Sequence, residues 1–153
     1  MTVSQRSATI QRTALLGALR ALLGSVALLP FLPWLLHGVP GLSGLADACE
    51  RWFSFQCQRD PSRALYAFGH ALPVCARCSG IYFGFGLGAC VARPHLGAPL
   101  LRRWVAVACL FMLLDVLSEA LGMRAPWAPL RVMSGMLLAY PVGVASLSAL
   151  RAR

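Results

Sequence analysis

The sequence predicts an all-α integral membrane protein with four transmembrane helices. The 153-residue chain is 58% hydrophobic and only 12% charged, whereas a soluble domain usually carries about 25% charged residues. Four segments are apolar over lengths near the roughly 20 residues that a helix needs to cross a bilayer. We therefore expect a single four-helix membrane domain over residues 15–153, preceded by a polar N-terminal arm over residues 1–14.

The four apolar segments differ in how closely they match a simple span. The first contains Pro30 and Pro33 and is longer than the 7–15 apolar residues of a signal peptide, so an uncleaved span is favoured over that alternative. The second has Arg77 near its start, which places its outer end in the interfacial layer. The predicted spans cover residues 21–42, 75–92, 104–122 and 129–150.

The distribution of arginine predicts the orientation of these spans. All fourteen basic residues are arginine, and basic residues are enriched on the cytoplasmic side of membrane proteins. We therefore expect a multi-pass protein of the cell (inner) membrane with both termini in the cytoplasm, and an outer loop over residues 43–72 that carries cysteines. The arm, the connection between spans two and three and the tail together carry eight arginines: Arg6, Arg12, Arg20, Arg93, Arg102, Arg103, Arg151 and Arg153.

The net charge of +9 raises the question of nucleic-acid binding. The arginines flank apolar segments, and no basic run is interleaved with aromatic or polar residues that would contact bases. The sequence therefore argues against a nucleic-acid partner and identifies the lipid bilayer as the main partner of the chain.

Small residues recur at intervals of four in the second and fourth predicted spans. Small side chains at this spacing allow two helix backbones to approach closely in lipid. We expect these two helices to pack against each other, with a homodimer through the same faces as the alternative. The residues concerned are Gly80, Gly84 and Gly88 in the second span and Gly135, Ala139 and Gly143 in the fourth.

Four charged residues of the spans are expected at a common depth near the outer surface. Asp115 and Glu119 are four residues apart and share one face of the third helix. Arg77 lies at the start of the second helix, and Arg131 at the start of the fourth. Charges within a membrane usually pair with one another, so one interpretation is a structural cluster. The other is a polar catalytic pocket in which Asp115 or Glu119 binds or moves a proton.

Cys75 and Cys78 form a Cys-x-x-Cys pair at the predicted start of the second helix. Two cysteines at this spacing can bind one metal ion, and the positive end of a helix also stabilises a reactive thiolate. Cys57 and His70 would complete a Cys3His set, typical of zinc. Alternatively, Cys49 and Cys57 form a second redox pair that relays electrons through the first pair to a quinone. A static disulfide is the third interpretation, since exposed extracytoplasmic cysteines usually oxidise.

Residues 57–84 resemble a family of small prokaryotic multi-pass membrane proteins of unknown function. One motif of that family is Cys-His-Gln-x-Pro-Glu-Arg-Ser, and Cys57, Pro61 and Arg63 match it. A second motif, Pro-Val-Cys-Ala-Arg-Cys-Thr-Gly-Ile-Tyr, matches residues 73–82, with Ser in place of Thr. The cysteine motif is specific, so the resemblance implies a multi-pass membrane protein.

The resemblance also bears on the choice between metal and disulfide. Asp115 matches an Asp in the family's third span, and residues 131–135 match an Arg-x-x-Thr/Ser-Gly motif at the start of its fourth. Three recurring cysteines imply a metal site, with zinc as the expected metal, rather than two disulfide pairs. The family has His after the first cysteine where this chain has Gln58, so His70 or water would have to supply the fourth ligand. The family brings no assigned activity, and the sequence leaves an enzyme, a metal-binding protein and a structural or partner-binding subunit open.

Overall fold

The computed structural model is mostly helical and describes residues 3–57, 63–67, 69–91 and 97–151. Gln58, Pro61 and Arg93, to which the sequence also drew attention, lie outside these ranges. The elements in chain order are α1 (Val3–Ser25), a 3-10 helix (Val26–Phe31), α2 (Leu32–His37), α3 (Ser43–Gln56), β1 (Ala64–Ala67), β2 (His70–Cys75), α4 (Ala76–Val91), α5 (Ala98–Ala120) and α6 (Ala128–Arg151).

The first apolar segment is a helical stretch with a break rather than one regular helix. α1 begins at Val3, within the arm that was expected to precede the membrane domain. The 3-10 helix after it contains Pro30, which has no backbone N–H and so cannot continue the α-helical hydrogen bonds. The chain continues as α2, with Pro33 in its first turn, and that helix ends at His37. The turn that follows contains Gly41, whose φ of +88° is favourable only for glycine.

Two helical stretches among the described residues are long and apolar enough to cross a membrane, namely Thr13–His37 and Ala128–Ser146. α4 is shorter, with 16 residues. α5 has 23 residues, but two arginines and two acidic residues lie within it. Length and composition therefore identify the first and last predicted spans more clearly than the two between them.

The distribution of apolar side chains is the reverse of that in a soluble domain. The buried apolar residues are mostly small and include Ala46, Ala76, Ala89, Ala108 and Ala139. The large apolar side chains of α5 lie on the outside of the protein. An exposed apolar surface of this extent is suited to contact with lipid. The exposed residues of α5 include Val107, Leu110, Leu113, Leu114 and Leu117.

α4 and α6 pack closely along their glycine stripes, as the spacing of small residues predicts. A Cβ atom added to Gly84 would collide with the backbone of Met136, and one added to Gly135 would collide with the backbone of α4. The same holds for Gly80, Gly88 and Gly143. The stripes are therefore used within one chain, and a homodimer through these faces would require α4 and α6 to separate.

Replacing Gly84 with Ala should destabilise the protein, whereas replacing Gly17 with Ala should not. The added methyl group at position 84 meets the α6 backbone, which cannot move aside as a flexible side chain would. Nothing lies within 4 Å of a Cβ atom added to Gly17 in α1, and Ala is a better helix former than Gly. We expect Gly84→Ala to lose about 1–3 kcal/mol of stability. Thermal unfolding in detergent measures the loss, and equal melting temperatures for the two variants would contradict this packing.

In the segment predicted to be an outer loop, the described residues 43–57, 63–67 and 69–72 include a helix and most of a small β-sheet, which corrects the all-α prediction. α3 occupies its first half, and β1 and β2 form an antiparallel pair after it. Ala67 lies opposite His70, and Gly69 adopts a φ of +80° in the turn. Strands of four and six residues are too short for their alternation to be recognised in the sequence. Because β2 runs into α4 at Cys75, the hairpin returns the chain to the start of that helix.

Candidate metal site

Three cysteines from three different parts of the chain lie together at the N-terminal end of α4. Cys57 directly follows α3, Cys75 ends β2, and Cys78 lies in the first turn of α4. Their sulfur atoms all lie within 4.8 Å of one another, and each residue is partly buried. The structure thus brings together the three cysteines that the sequence singled out for a metal site.

Local backbone structure accounts for this convergence. Cys57 has an extended backbone, with φ −142° and ψ 137°, so the chain leaves the axis of α3 at that residue. The hairpin then returns the chain, and the backbone N–H of Cys75 donates a hydrogen bond of 3.2 Å to the sulfur of Cys57. Cys78 follows three residues later in the first turn of α4, which begins at Ala76 directly after Cys75, so its sulfur lies within 4.8 Å of the other two.

The surroundings of Cys75 lower the pKa of its thiol. A hydrogen bond with the Cys78 side chain is the main cause, and it lowers the pKa of Cys75 to about 5 although burial acts in the opposite direction. Hydrogen bonds from the Cys57 thiol and from the backbone N–H groups of Cys78 and Arg77 also lower this pKa. The thiolate is the form of cysteine that binds metal ions. The hydrogen bonds around Cys75 therefore favour the form of this thiol that a metal ion needs.

Two other predicted residues are not brought to the three sulfurs. His70 begins β2, and five residues of extended chain place it about 16 Å from Cys75. Its ring lies beside Trp34 instead, with the ring centroids 6.4 Å apart. Cys49 lies in α3 eight residues before Cys57, which corresponds to about 12 Å along the helix axis. A disulfide needs Cα atoms within about 7 Å, so a Cys49–Cys57 pair would require α3 to unwind.

A hydrogen bond joins α3 to α4 beside the cysteines. Tyr82 lies one turn after Cys78, and its hydroxyl donates to Gln56 Oε1 at 2.5 Å. The Tyr82 ring also packs edge-on against Phe53, with ring centroids 6.0 Å apart. Because Gln56 directly precedes Cys57, these contacts fix the end of α3 that carries the first cysteine relative to the helix that carries the third.

The four charged residues expected at one depth also meet. Arg77 Nε and Nη2 donate to Asp115 Oδ2 at 3.0 and 2.8 Å, and the same Nη2 donates to Glu119 Oε2 at 2.9 Å. Arg131 donates to Glu119 through Nε, at 3.0 Å, and through Nη2. The side chains of Asp115 and Arg131 are only 1% and 4% exposed. The cluster therefore lies inside the protein and links α4, α5 and α6.

Two further arginines belong to this cluster and were not among the predicted site residues. Arg124 Nη2 donates to Asp115 Oδ1, and Arg63 Nη2 lies 3.9 Å from Glu119 Oε1. Gly122, with φ +68°, follows the end of α5 and turns the chain back, which allows Arg124 to reach the helix that it has just left. Arg63 had a signal in the sequence, since it matches the family motif. Nothing in the sequence pointed to Arg124.

Each carboxylate oxygen of Asp115 and Glu119 accepts a hydrogen bond from an arginine. Arg77 and Arg124 donate to the two oxygens of Asp115, and Arg131 donates to both oxygens of Glu119. A general base must accept a proton on a carboxylate oxygen, and the positive charge of the bound arginines opposes this by favouring the ionised carboxylate. The arrangement favours a structural role, in which ion pairs hold α4, α5 and α6 together, over proton transfer.

Comparison with known proteins shows that the cysteines and the ion pairs belong to a shared region. A family model described as "Predicted membrane protein (DUF2085)" matches residues 57–145. An uncharacterised protein of Methanocaldococcus jannaschii is 30% identical over 95 residues, which are 59% of this chain and 60% of that protein. An uncharacterised protein of Methanothermobacter thermautotrophicus is 31% identical over 100 residues, which are 63% of this chain and 84% of that protein. No solved structure matches the chain.

Proposed function

Since the chain belongs to this family of predicted membrane proteins of unknown function, we propose that it is an integral membrane protein that holds a zinc ion on the extracytoplasmic face. Cys57, Cys75 and Cys78 supply the ligands. The single observation that carries this proposal is the convergence of three sulfur atoms within 4.8 Å of one another. The cluster around Asp115 and Glu119 lies beside the site and positions the helix on which it is built.

The proposed topology has four membrane-crossing segments: Thr13–His37, α4, α5 and α6. Segments that cross in alternate directions bring the start of α4, the end of α5 and the start of α6 to one side, where Arg77, Glu119 and Arg131 make their ion pairs. The arginine distribution places both termini in the cytoplasm.

A C-terminal tag tests this orientation. Protease added to sealed membrane vesicles should remove the tag from inside-out vesicles only, because the tail is expected on the cytoplasmic face. Cleavage in right-side-out vesicles alone would reverse the proposed orientation.

The spacing of the sulfurs suits zinc. Tetrahedral zinc with Zn–S distances of about 2.3 Å holds its sulfur ligands about 3.8 Å apart. Separations of at most 4.8 Å mean that movements of about 1 Å would bring the three sulfurs to the spacing of zinc ligands, with the fourth position left to water. The N–H of Cys75 already donates to the Cys57 sulfur, an outer contact that orients and stabilises a ligand. A disulfide, in contrast, would use only two of the three sulfurs.

The ion-pair cluster supports the site through Arg77. This residue lies between Cys75 and Cys78 in the sequence, and its side chain is held by both Asp115 and Glu119. The cluster therefore anchors the first turn of α4, from which Cys78 is presented. We propose that Asp115, Glu119, Arg77 and Arg131 act as positioning groups for the metal site.

Metal analysis combined with thiol counting tests this function. Protein purified without chelator should contain about one zinc per chain. Of its six cysteines, Cys57, Cys75 and Cys78 should react with a thiol reagent only after a chelator removes the metal. Zinc far below one equivalent, together with free reaction of all six thiols, would contradict the proposal. Loss of two thiols under denaturing, non-reducing conditions would instead establish a disulfide.

A further inference from the structure

A groove of about 380 Å³ lies between α5 and α6, in the part of α5 that precedes the ion-pair cluster. Its wall is apolar except for one charged side chain, that of Arg103. The apolar residues from α5 recur at intervals of three or four, which places them on one face of that helix. They include Leu100, Trp104, Val107 and Phe111, and Leu137 contributes from α6. The groove therefore combines a long apolar wall with one cationic group near the start of α5.

The wall of the groove is held in place by Trp104. Pro141 lies inside α6 and has no backbone N–H, so the carbonyl of Leu137, one turn earlier, lacks its helical hydrogen bond. The indole Nε1 of Trp104 donates to this carbonyl at 3.1 Å. The same ring lies beside Tyr140, with ring centroids 5.9 Å apart. The proline of α6 thus frees the acceptor that joins the two helices, and the shape of the groove is set by specific contacts.

Arg103 lies far along the chain and along its helix from the acidic residues. All five acidic side chains of the protein lie within residues 47–60 and 115–119. Asp115 is about 18 Å further along the axis of α5, and its carboxylate is already held by Arg77 and Arg124. Arg103 itself is exposed, and an arginine binds phosphate well through two parallel N–H groups. We therefore expect its counterion to come from outside the chain.

We propose that the groove binds one anionic phospholipid, with its phosphate at Arg103 and an acyl chain along the apolar wall. Val107 and Phe111 are exposed, and Phe111 lies about 12 Å beyond Arg103 along the helix axis, so the wall continues from the charge towards the middle of the bilayer. Basic pockets between membrane helices on the cytoplasmic side bind anionic head groups. The proposal rests on the proposed topology, in which α5 starts at the cytoplasmic face, and not on the zinc site.

Native mass spectrometry of the full-length protein in a neutral detergent tests the proposal, with phosphatidylglycerol and phosphatidylcholine of identical acyl chains as probes. The protein should retain one phosphatidylglycerol and bind it about fivefold more tightly than phosphatidylcholine. Arg103→Gln should abolish this preference. Arg102→Gln is the matched control, because it removes the same charge from a neighbouring residue that does not line the groove, and it should keep the preference. Glycerophosphoglycerol, the head group without acyl chains, should not displace the lipid.

Four results would overturn the lipid site. These are equal affinity of the wild-type protein for the two lipids, equal loss of preference in Arg102→Gln and Arg103→Gln, displacement by the head group alone, and a lipid-free dimer in which a second copy covers the groove. Zinc content separates this proposal from the metal site. Arg103→Gln should keep its zinc and Cys75→Ser should keep its lipid, so the failure of either site leaves the other standing. Circular dichroism confirms that each variant is folded.

Discussion

The Asp115→Asn variant is expected to lose about 3–5 kcal/mol of stability, because it removes the carboxylate that two arginines share. Arg77 and Arg124 both donate to Asp115, whose side chain is almost fully buried. Asn has nearly the same shape, so packing is retained while the negative charge is lost. Of the two guanidinium groups, which are mostly buried, Arg124 would then lose its contact with this carboxylate and Arg77 would keep only its contact with Glu119.

Thermal unfolding in detergent at neutral pH measures this effect. Adding Arg124→Gln to Asp115→Asn is the informative control, because it removes the arginine that has lost its contact with the carboxylate of Asp115. The double variant should recover part of the lost stability, as expected for residues that interact directly. An Asp115→Asn protein with an unchanged melting temperature would show that the cluster does not hold the helices together.

The Cys75→Ser variant is expected to lose stoichiometric zinc, with affinity reduced by about 100-fold or more, since loss of even an outer contact weakens metal binding 10–100-fold. Cys75 has the low-pKa thiol, and the other two sulfurs lie around it. Cys49→Ser is the matched control. Cys49 lies against a separate apolar cavity with Trp52 and Tyr82, so its replacement should leave the zinc content unchanged. Elemental analysis of the two purified variants makes the comparison.

The same pair of variants separates the metal site from a thiol relay to a quinone. A relay needs Cys49 as the partner of Cys57, so Cys49→Ser would stop electron transfer. In a relay that holds no metal, the zinc content would not depend on Cys75. Equal zinc content in the Cys49→Ser and Cys75→Ser proteins would count against the metal site. The position of Cys49 within α3 already argues against the relay, because the helix would have to unwind for the Cys49–Cys57 pair to form.

The contact between α4 and α6 could be predicted from the sequence because its cause is local. Gly84 and Gly135 belong to stripes of small residues with a period of four, and the absence of a side chain on one face of each helix is visible in the sequence itself. Close packing of two such faces is the general behaviour of small residues in membrane helices. The structure shows the backbone of Met136 directly against Gly84.

The cysteine site could be predicted only in part. Cys75 and Cys78 are three residues apart in the sequence, so their proximity was expected, and Cys57 was singled out by the family motif. His70 was a reasonable fourth ligand by sequence distance, but the intervening residues form a strand, and an extended chain carries the histidine away from the sulfurs. The hairpin depends on pairing between strands, which short segments do not reveal.

The ion-pair cluster could also be predicted only in part from the sequence. The spacing of Asp115 and Glu119 on one helix face placed both acids in a common cluster. Arg124 reaches Asp115 only because the chain reverses at Gly122. A contact made by such a turn cannot be predicted from the periodicity of the sequence. Four arginines around two carboxylates, rather than two, favour the structural interpretation over proton transfer, both of which the sequence left open.

X-ray absorption at the zinc edge tests the central claim most directly, on full-length protein loaded with one equivalent of zinc. We expect three sulfur neighbours at about 2.3 Å from the metal, supplied by Cys57, Cys75 and Cys78, and a loss of sulfur neighbours in the Cys75→Ser protein. A first coordination shell made of nitrogen and oxygen alone would contradict it.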